Sequence, residues 1–177
     1  MFTFSTSRLD LRPLALRDAP FIHQLMNEPE VIRYVGDRGL RTRTEAAAYI
    51  ADHLREQGEG HGLGLCRVAL RASSTPIGIC GLLQRPALDA PDLGFAFRAA
   101  YEGQGYAAEA SQAVLQAAQD QLGLTTVTAI TNVDNPRAVR LLQRLGFTYE
   151  RLAPVGAEGT LFRLYQRSLD PPGSHER

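Results

Sequence analysis

The 177 residues are 44% hydrophobic with a formal net charge of +0, enough apolar material for the core of one compact unit. All 19 basic residues are arginine, which excludes a P-loop lysine, a Schiff-base lysine and a lysine general base. Balanced charge with dispersed arginines also argues against a nucleic-acid partner, whose recognition needs a clustered basic face.

The opening MFTFSTSRLDLRPL alternates apolar and polar residues, unlike a signal peptide, and no apolar run approaches the ~18 residues of a membrane helix. A cytoplasmic chain with no membrane partner is therefore expected. Leu9, Leu11 and Leu14 predict a first strand, and Asp18 is placed to cap a helix through about Asn27, with Ile22, Leu25 and Met26 on one face. TRTEAAAYIADHL predicts a second helix, because Thr42 and Glu45 have capping-box spacing and Ala46, Ile50 and Leu54 form a stripe. The loop EQGEGHG follows, then strands at LGLCRVALR and PIGICGLLQR joined by ASST. Cys66 and Cys80 in these strands have no metal or redox spacing and read as buried thiols of a reducing compartment.

DLGFAFR predicts a further strand, followed by a glycine-rich loop and a long helix to Leu122 closed by Gly123. TTVTAIT is the next strand. In NVDNPRAVRLLQRLGF, Asn135 is the N-cap, Pro136 the first helical residue and Gly146 the C-terminal cap. FTYERLAPV and TLFRLYQRSL predict a hairpin across GAEG, and DPPGSHER a disordered tail over 170–177. The fold class expected is α/β: one domain over 1–169 with a mixed, mostly antiparallel sheet and a central, right-handed βαβ crossover.

The stretch EGQGYA joins a strand to a helix N-terminus, where unpaired N–H groups and the positive dipole end favour an anion. A Walker loop fails for want of lysine. A dinucleotide fingerprint is incomplete because Gly103 and Gly105 are not followed by the third glycine of GxGxxG. A shorter cradle, with the N–H groups of residues 103–107 turned to a diphosphate, remains beside the plain alternative of a turn.

TSRLDLRPL, PIGICGL, DLGFAFRAAYEGQGYAAEA and NPRAVRLLQRLGF, in this order, resemble the GCN5-related N-acetyltransferase (GNAT) superfamily, in its branch of ribosomal-protein N-terminal alanine or serine acetyltransferases. The resemblance implies a splayed parallel strand pair and acetyl-CoA as co-substrate, with no metal. It assigns Gly103, Gln104, Gly105, Tyr106 and Ala107 to the pyrophosphate, and Phe95, Ala96 and Phe97 to the pantetheine through their backbone. Asn135 is implied to contact the same arm as well as capping its helix. Direct attack of an amine on the thioester would need a base. Asp92 is the candidate at the mouth of the cleft, its alternative being an exposed carboxylate at a strand start. Glu109 reads as structural, and Glu102 as a carboxylate that would repel a diphosphate unless turned outward.

The usual thiolate-protonating Tyr and Ser are replaced by Leu142 and Ala138, and nothing aims Tyr101 or Tyr106 at the sulfur. Arg137, Arg140 and Arg144 reach toward a 3′-phosphate or form a solvated face. His23, His53 and His61 lack metal spacing, with His61 a weak candidate for touching the acceptor. The segment Glu28 to Leu54 is expected to shape the acceptor pocket, its Arg33, Arg38, Arg41 and Arg43 suiting a carboxylate or phosphate. The expected function is acetyl transfer to the amine of a small molecule or a peptide N-terminus, by a monomer or homodimer. A non-catalytic acyl-CoA sensor is the competing class.

Overall fold

The computed structural model describes residues 3–58, 64–155 and 159–169. His61, part of the loop EQGEGHG, most of GAEG and the tail 170–177 lie outside them. Eight strands form one sheet: β1 (Phe4–Ser5), β2 (Leu9–Pro13), β3 (Gly64–Leu70), β4 (Pro76–Leu83), β5 (Asp92–Phe97), β6 (Thr126–Thr131), β7 (Thr148–Pro154) and β8 (Leu161–Ser168). Their order is β1-β2-β3-β4-β5-β6-β8-β7. Every neighbouring pair is antiparallel except β5 and β6, which are joined through a helix and run parallel. This is the mixed sheet expected from the order of the sequence patterns.

Helices cover both faces. On one, α4 (Tyr106–Leu122) and α5 (Pro136–Arg144) pack Ala110, Val114, Leu115, Ala118 and Leu142 against Leu11, Val68, Cys80 and Tyr165. On the other, α1 (Ala19–Met26), α2 (Pro29–Tyr34) and α3 (Arg43–Gly58) pack Ile22, Leu25, Val31, Ala46 and Ile50 against Leu65, Ile79 and Ala96. The caps explain several boundaries. Gly123 closes α4 at φ 62°, a left-handed angle open to glycine. Asn135 accepts from the Ala138 N–H at 3.1 Å, a cap worth about 1 kcal/mol against alanine. The Thr42 hydroxyl accepts from the Glu45 N–H at 3.1 Å while the Glu45 carboxylate accepts from the Thr42 N–H at 2.8 Å.

Four differences from the sequence expectation have physical causes. Asp18 sits at the N-cap position of α1, yet its side chain makes no cap bond. It is buried, accepts both Arg12 guanidinium donors at 2.7 Å and takes the Ala15 N–H at 2.9 Å. Burial pulls its pKa up, but Arg12 and the Ala15 amide outweigh that and hold it below the usual carboxylate range. The second helix runs on to Gly58, through helix-favouring residues beyond Leu54. The short α2 was not expected because Pro29 reads as a breaker; at the first helical position its missing N–H costs nothing. Strand β1, with two residues, is too short for alternation to reveal.

Gly81 pairs with Leu65 in the β3–β4 ladder. A Cβ there would collide with the Gly64 carbonyl and stand 2.8 Å from the Leu65 Cα, all backbone that cannot swing aside. Gly81→Ala is therefore expected to lower stability by about 2 kcal/mol or more, read as a fall of roughly 4–8 °C in melting temperature. An unchanged melting temperature would contradict this packing.

Candidate active site

Strands β5 and β6 share one register pair, Asp92 with Thr128. Thr128 is fastened there, its N–H donating to the Pro91 carbonyl at 2.8 Å and its hydroxyl reaching the Ala90 and Pro91 carbonyls. Beyond that apex the strands part, so the β6-facing edge of residues 93–97 carries backbone groups with no ladder partner. Such a gap at the carboxyl ends of parallel strands, with a helix N-terminus following each, is where open α/β sheets bind ligands. A cavity of about 380 Å³ occupies the gap. Asp92, Gly94, Phe95 and Ala96 line it from β5, Ile130 and Thr131 from β6, and Asn135 and Ala138 from α5.

At the open end, Gly103 and Gly105 take φ 74° and 83°, which turns the chain sharply into α4. The Glu102 N–H bonds to Ala99 and the Glu109 N–H to Gly105, but the six amides between, 103–108, find no acceptor among the described residues. A Cβ at Gly103 would meet nothing within 4 Å, so the loop faces open space. Consecutive unpaired N–H groups at a helix N-terminus fit a diphosphate, and with it the coenzyme implied by the sequence.

Arg8 anchors this loop from the N-terminal strand region. It donates to the Gln104 carbonyl at 2.9 Å and lies 4.4 Å from the centre of the Tyr106 ring. Its Nε donates to Glu109 at 2.7 Å, and Glu109 also accepts from the Thr6 hydroxyl, the Ser7 hydroxyl and the Arg8 N–H. Glu109 is thus structural, as expected. Glu102 forms an ion pair with Arg137 of α5, which offsets the repulsion its carboxylate would exert on an anion. Arg140 and Arg144 are exposed, as a solvated face requires.

Asp92 is 1% exposed, which overturns both its placement at the cleft mouth and the exposed-carboxylate alternative. It sits at the closed apex, with Oδ2 accepting from Arg85 Nε at 2.6 Å. Oδ1 has no hydrogen-bond partner among the described residues, while the nearby Ile130 amide favours the charged carboxylate. Burial pushes the pKa up to about 6, against the opposing effect of Arg85. The other buried polar atom without a partner among the described residues, Thr131 Oγ1, lines the same cavity.

Other expected site residues divide clearly. Phe95 and Ala96 line the cavity, whereas the Phe97 side chain is buried in the core against Gly78, leaving only its backbone toward the gap. Asn135 lines the cavity with its side-chain oxygen committed to the cap. Leu142 is fully buried and Ala138 nearly so, so α5 offers no proton donor at these positions. Tyr101 and Tyr106 pack on the core. His23 contacts the Arg41 carbonyl at 3.0 Å, and His53 accepts the Leu65 N–H at 2.8 Å, its pKa lowered by burial. Cys66 and Cys80 face each other across β3 and β4, their thiols pushed up by burial to about 11 and about 12, which removes them as nucleophiles. Among the described residues no cluster of three metal-ligating side chains occurs and no helix is long and apolar enough to cross a membrane.

Sequence reasoning missed Arg8, Arg85, Thr131, Tyr34 and Tyr49 as site or support residues. Of these, Arg8 lay in the first of the family-like stretches, and Tyr34 and Tyr49 lay in the segment Glu28 to Leu54 expected to shape the acceptor pocket, though none was named individually. Burial pulls the Glu109 pKa up, but Thr6 and Arg8 outweigh it and leave it below 4.5, so its carboxylate stabilises the fold above that pH. Glu109→Gln should cost about 1–3 kcal/mol at pH 7, a gap that closes as the pH falls through the lowered pKa. Thermal denaturation against pH would show it, and a gap independent of pH would contradict it.

The family model described as "Acetyltransferase (GNAT) domain" matches residues 8–148. An N-acetyltransferase of Bacillus licheniformis, called p20 and itself uncharacterised, is 26% identical over 174 residues, covering 96% of each chain. A solved acetyltransferase from Agrobacterium tumefaciens superposes with a TM-score of 0.79 at 28% identity, over 94% of each chain. A spermidine N-acetyltransferase from Vibrio cholerae, solved with CoA and spermine, gives 0.75 at 20% identity over 92% of this chain and 96% of its own. Ribosomal-protein acetyltransferases are fold neighbours too, one group among several. With the family model spanning most of the chain and the splayed sheet in place, this protein belongs to the GNAT acetyltransferase family.

Proposed function

We propose that the protein transfers an acetyl group from acetyl-CoA to a primary amine, by direct attack within a ternary complex. The observation that carries this reading is the run of unpaired amides at 103–108 beside a cleft whose apex holds an unpaired buried carboxylate oxygen. The CoA-bound relative supports the choice of anion. Acetyl-CoA, when bound, supplies the acetyl group as an activated thioester.

The remaining work falls to residues of the chain. The loop amides and the α4 dipole hold the anion, and the free edge of β5 offers backbone groups to an extended arm. Asp92 Oδ1 takes the amine proton directly or through one water, while Arg85 fixes the carboxylate through Oδ2. The Thr131 hydroxyl is a donor in the cavity wall available to a bound reactant. The amine nitrogen bonds to the acetyl carbon as the carbon–sulfur bond breaks, and coenzyme A leaves as a thiolate that takes its proton from solvent, with no enzyme thiol intervening.

A folded-state pKa of about 6, raised from 3.8, means that stability drawn from the neutral carboxyl is lost as pH rises through this window, while the basic form accumulates. In a thiol-release assay with saturating acetyl-CoA, kcat is expected to fall below about pH 6. Asp92→Asn should abolish that limb and lower kcat by about 10²–10⁴-fold, with acetyl-CoA still raising its melting temperature. An Asn variant with near-normal kcat would remove Asp92 from the mechanism. The apolar Ala138 and Leu142 favour a second reading, a non-catalytic acyl-CoA sensor, which binding without turnover across a broad amine panel would support.

A further inference from the structure

The part of the cavity away from the glycine loop is built by Met26, Tyr34, Val35, Tyr49 and Leu83, an apolar and aromatic wall. Among the described residues its charged lining is Arg38, Arg85 and Asp92. Arg85 and Asp92 neutralise each other at 2.6 Å, which leaves one guanidinium in excess. Arg38 has no ion-pair or hydrogen-bond partner among the described residues. The neighbouring arginines are committed or turned away: Arg41 to Asp37 and Asn27, Arg33 against the Tyr34 ring at 4.9 Å, and Arg43 to solvent on α3. Both Arg38 and Arg85 line the cavity with Tyr49, whose hydroxyl feels their positive fields against the weaker opposing field of Glu56, an exposed residue of α3 outside the lining.

A polyamine would bring two or more cations to this wall and find, among its described lining residues, no carboxylate beyond the one already paired. An amine that also bears an anion meets the opposite situation, since a planar guanidinium pairs with a carboxylate or phosphate through two parallel donors. The volume, shared with the reacting end of the coenzyme, suits a small molecule. We propose that the acceptor is a small primary amine carrying an anionic group on an apolar body, its anion held by Arg38 and its amine directed toward Asp92. This rests on the transfer function proposed above and differs from the spermidine specificity of some relatives.

Thiol release would be measured for phenylalanine and methionine, their decarboxylated amines, O-phosphoethanolamine and spermidine, compared at equal free-base concentration. The anionic amines should exceed their decarboxylated counterparts in kcat/KM by about tenfold or more, the scale of one charge-assisted pair. The ranking of carboxylates against phosphoethanolamine identifies the anion. Arg38→Met, at an exposed position where folding is not at risk, should erase the preference through KM, whereas Arg43→Met should keep it. Preference for spermidine or a decarboxylated amine, or a preference surviving Arg38→Met, would overturn the inference while leaving acetyl transfer standing. Binding of acetyl-CoA without transfer to any of these amines would overturn the transfer function, and this inference with it.

Discussion

The single register pair between β5 and β6 is the constraint on which the site depends. Had the two strands paired along their length, the backbone of Leu93 to Phe97 would be consumed by the ladder, and the space between would be filled by side chains. Because pairing stops at Asp92 and Thr128, the strands diverge toward their carboxyl ends and the N-termini of α4 and α5 follow at the two rims. The same event explains the depth of Asp92. A residue at the apex of a V is enclosed by both strands, so its carboxylate loses water and its pKa rises.

Charge around the cleft is arranged to keep its surfaces in place. Arg8 ties the glycine loop to the first long strand through Glu109, Gln104 and the Tyr106 ring, a contact set spanning about a hundred residues of sequence. Glu102 and Arg137 join the loop to α5 across the open end of the V, so a residue ill-suited to a diphosphate becomes a strap between its rims. On the acceptor side, Glu28 accepts from the Ala99 N–H at 2.8 Å and from Arg98, linking the start of α2 to the end of β5. The Glu102–Arg137 and Glu28–Arg98 pairs add little stability individually; their consequence is positional.

Much of this was legible in the sequence because it depends on local rules. Gly103 and Gly105 announce a left-handed turn, Asn135 with Pro136 a helix start, and Thr42 with Glu45 a capping box, each decided within a few residues. What was illegible depends on folding. The burial of Asp92 follows from β6 and from Arg85, and the neutralisation of Glu102 from a residue 35 positions away. Asp18 looked like a cap because a helix follows it, but the fold supplied Arg12, a stronger partner on the neighbouring strand. The segment Glu28 to Leu54 and its Arg38 were named for the acceptor pocket from the sequence, but Tyr34 and Tyr49 join Arg38 only once α2 and α3 pack on the sheet, and Thr131 matters only because the V leaves its hydroxyl without a partner among the described residues. The acceptor wall is thus the part of the site that sequence reasoning could least resolve.

The central claim is that the amides of residues 103–108 hold the diphosphate of coenzyme A. Titration of the ¹⁵N-labelled protein with coenzyme A, followed by NMR, tests it most directly. The account predicts that these amides undergo the largest shift changes, in the direction of newly formed hydrogen bonds, with lesser changes along Leu93 to Phe97. Binding that left the 103–108 amides unmoved while perturbing another region would contradict it.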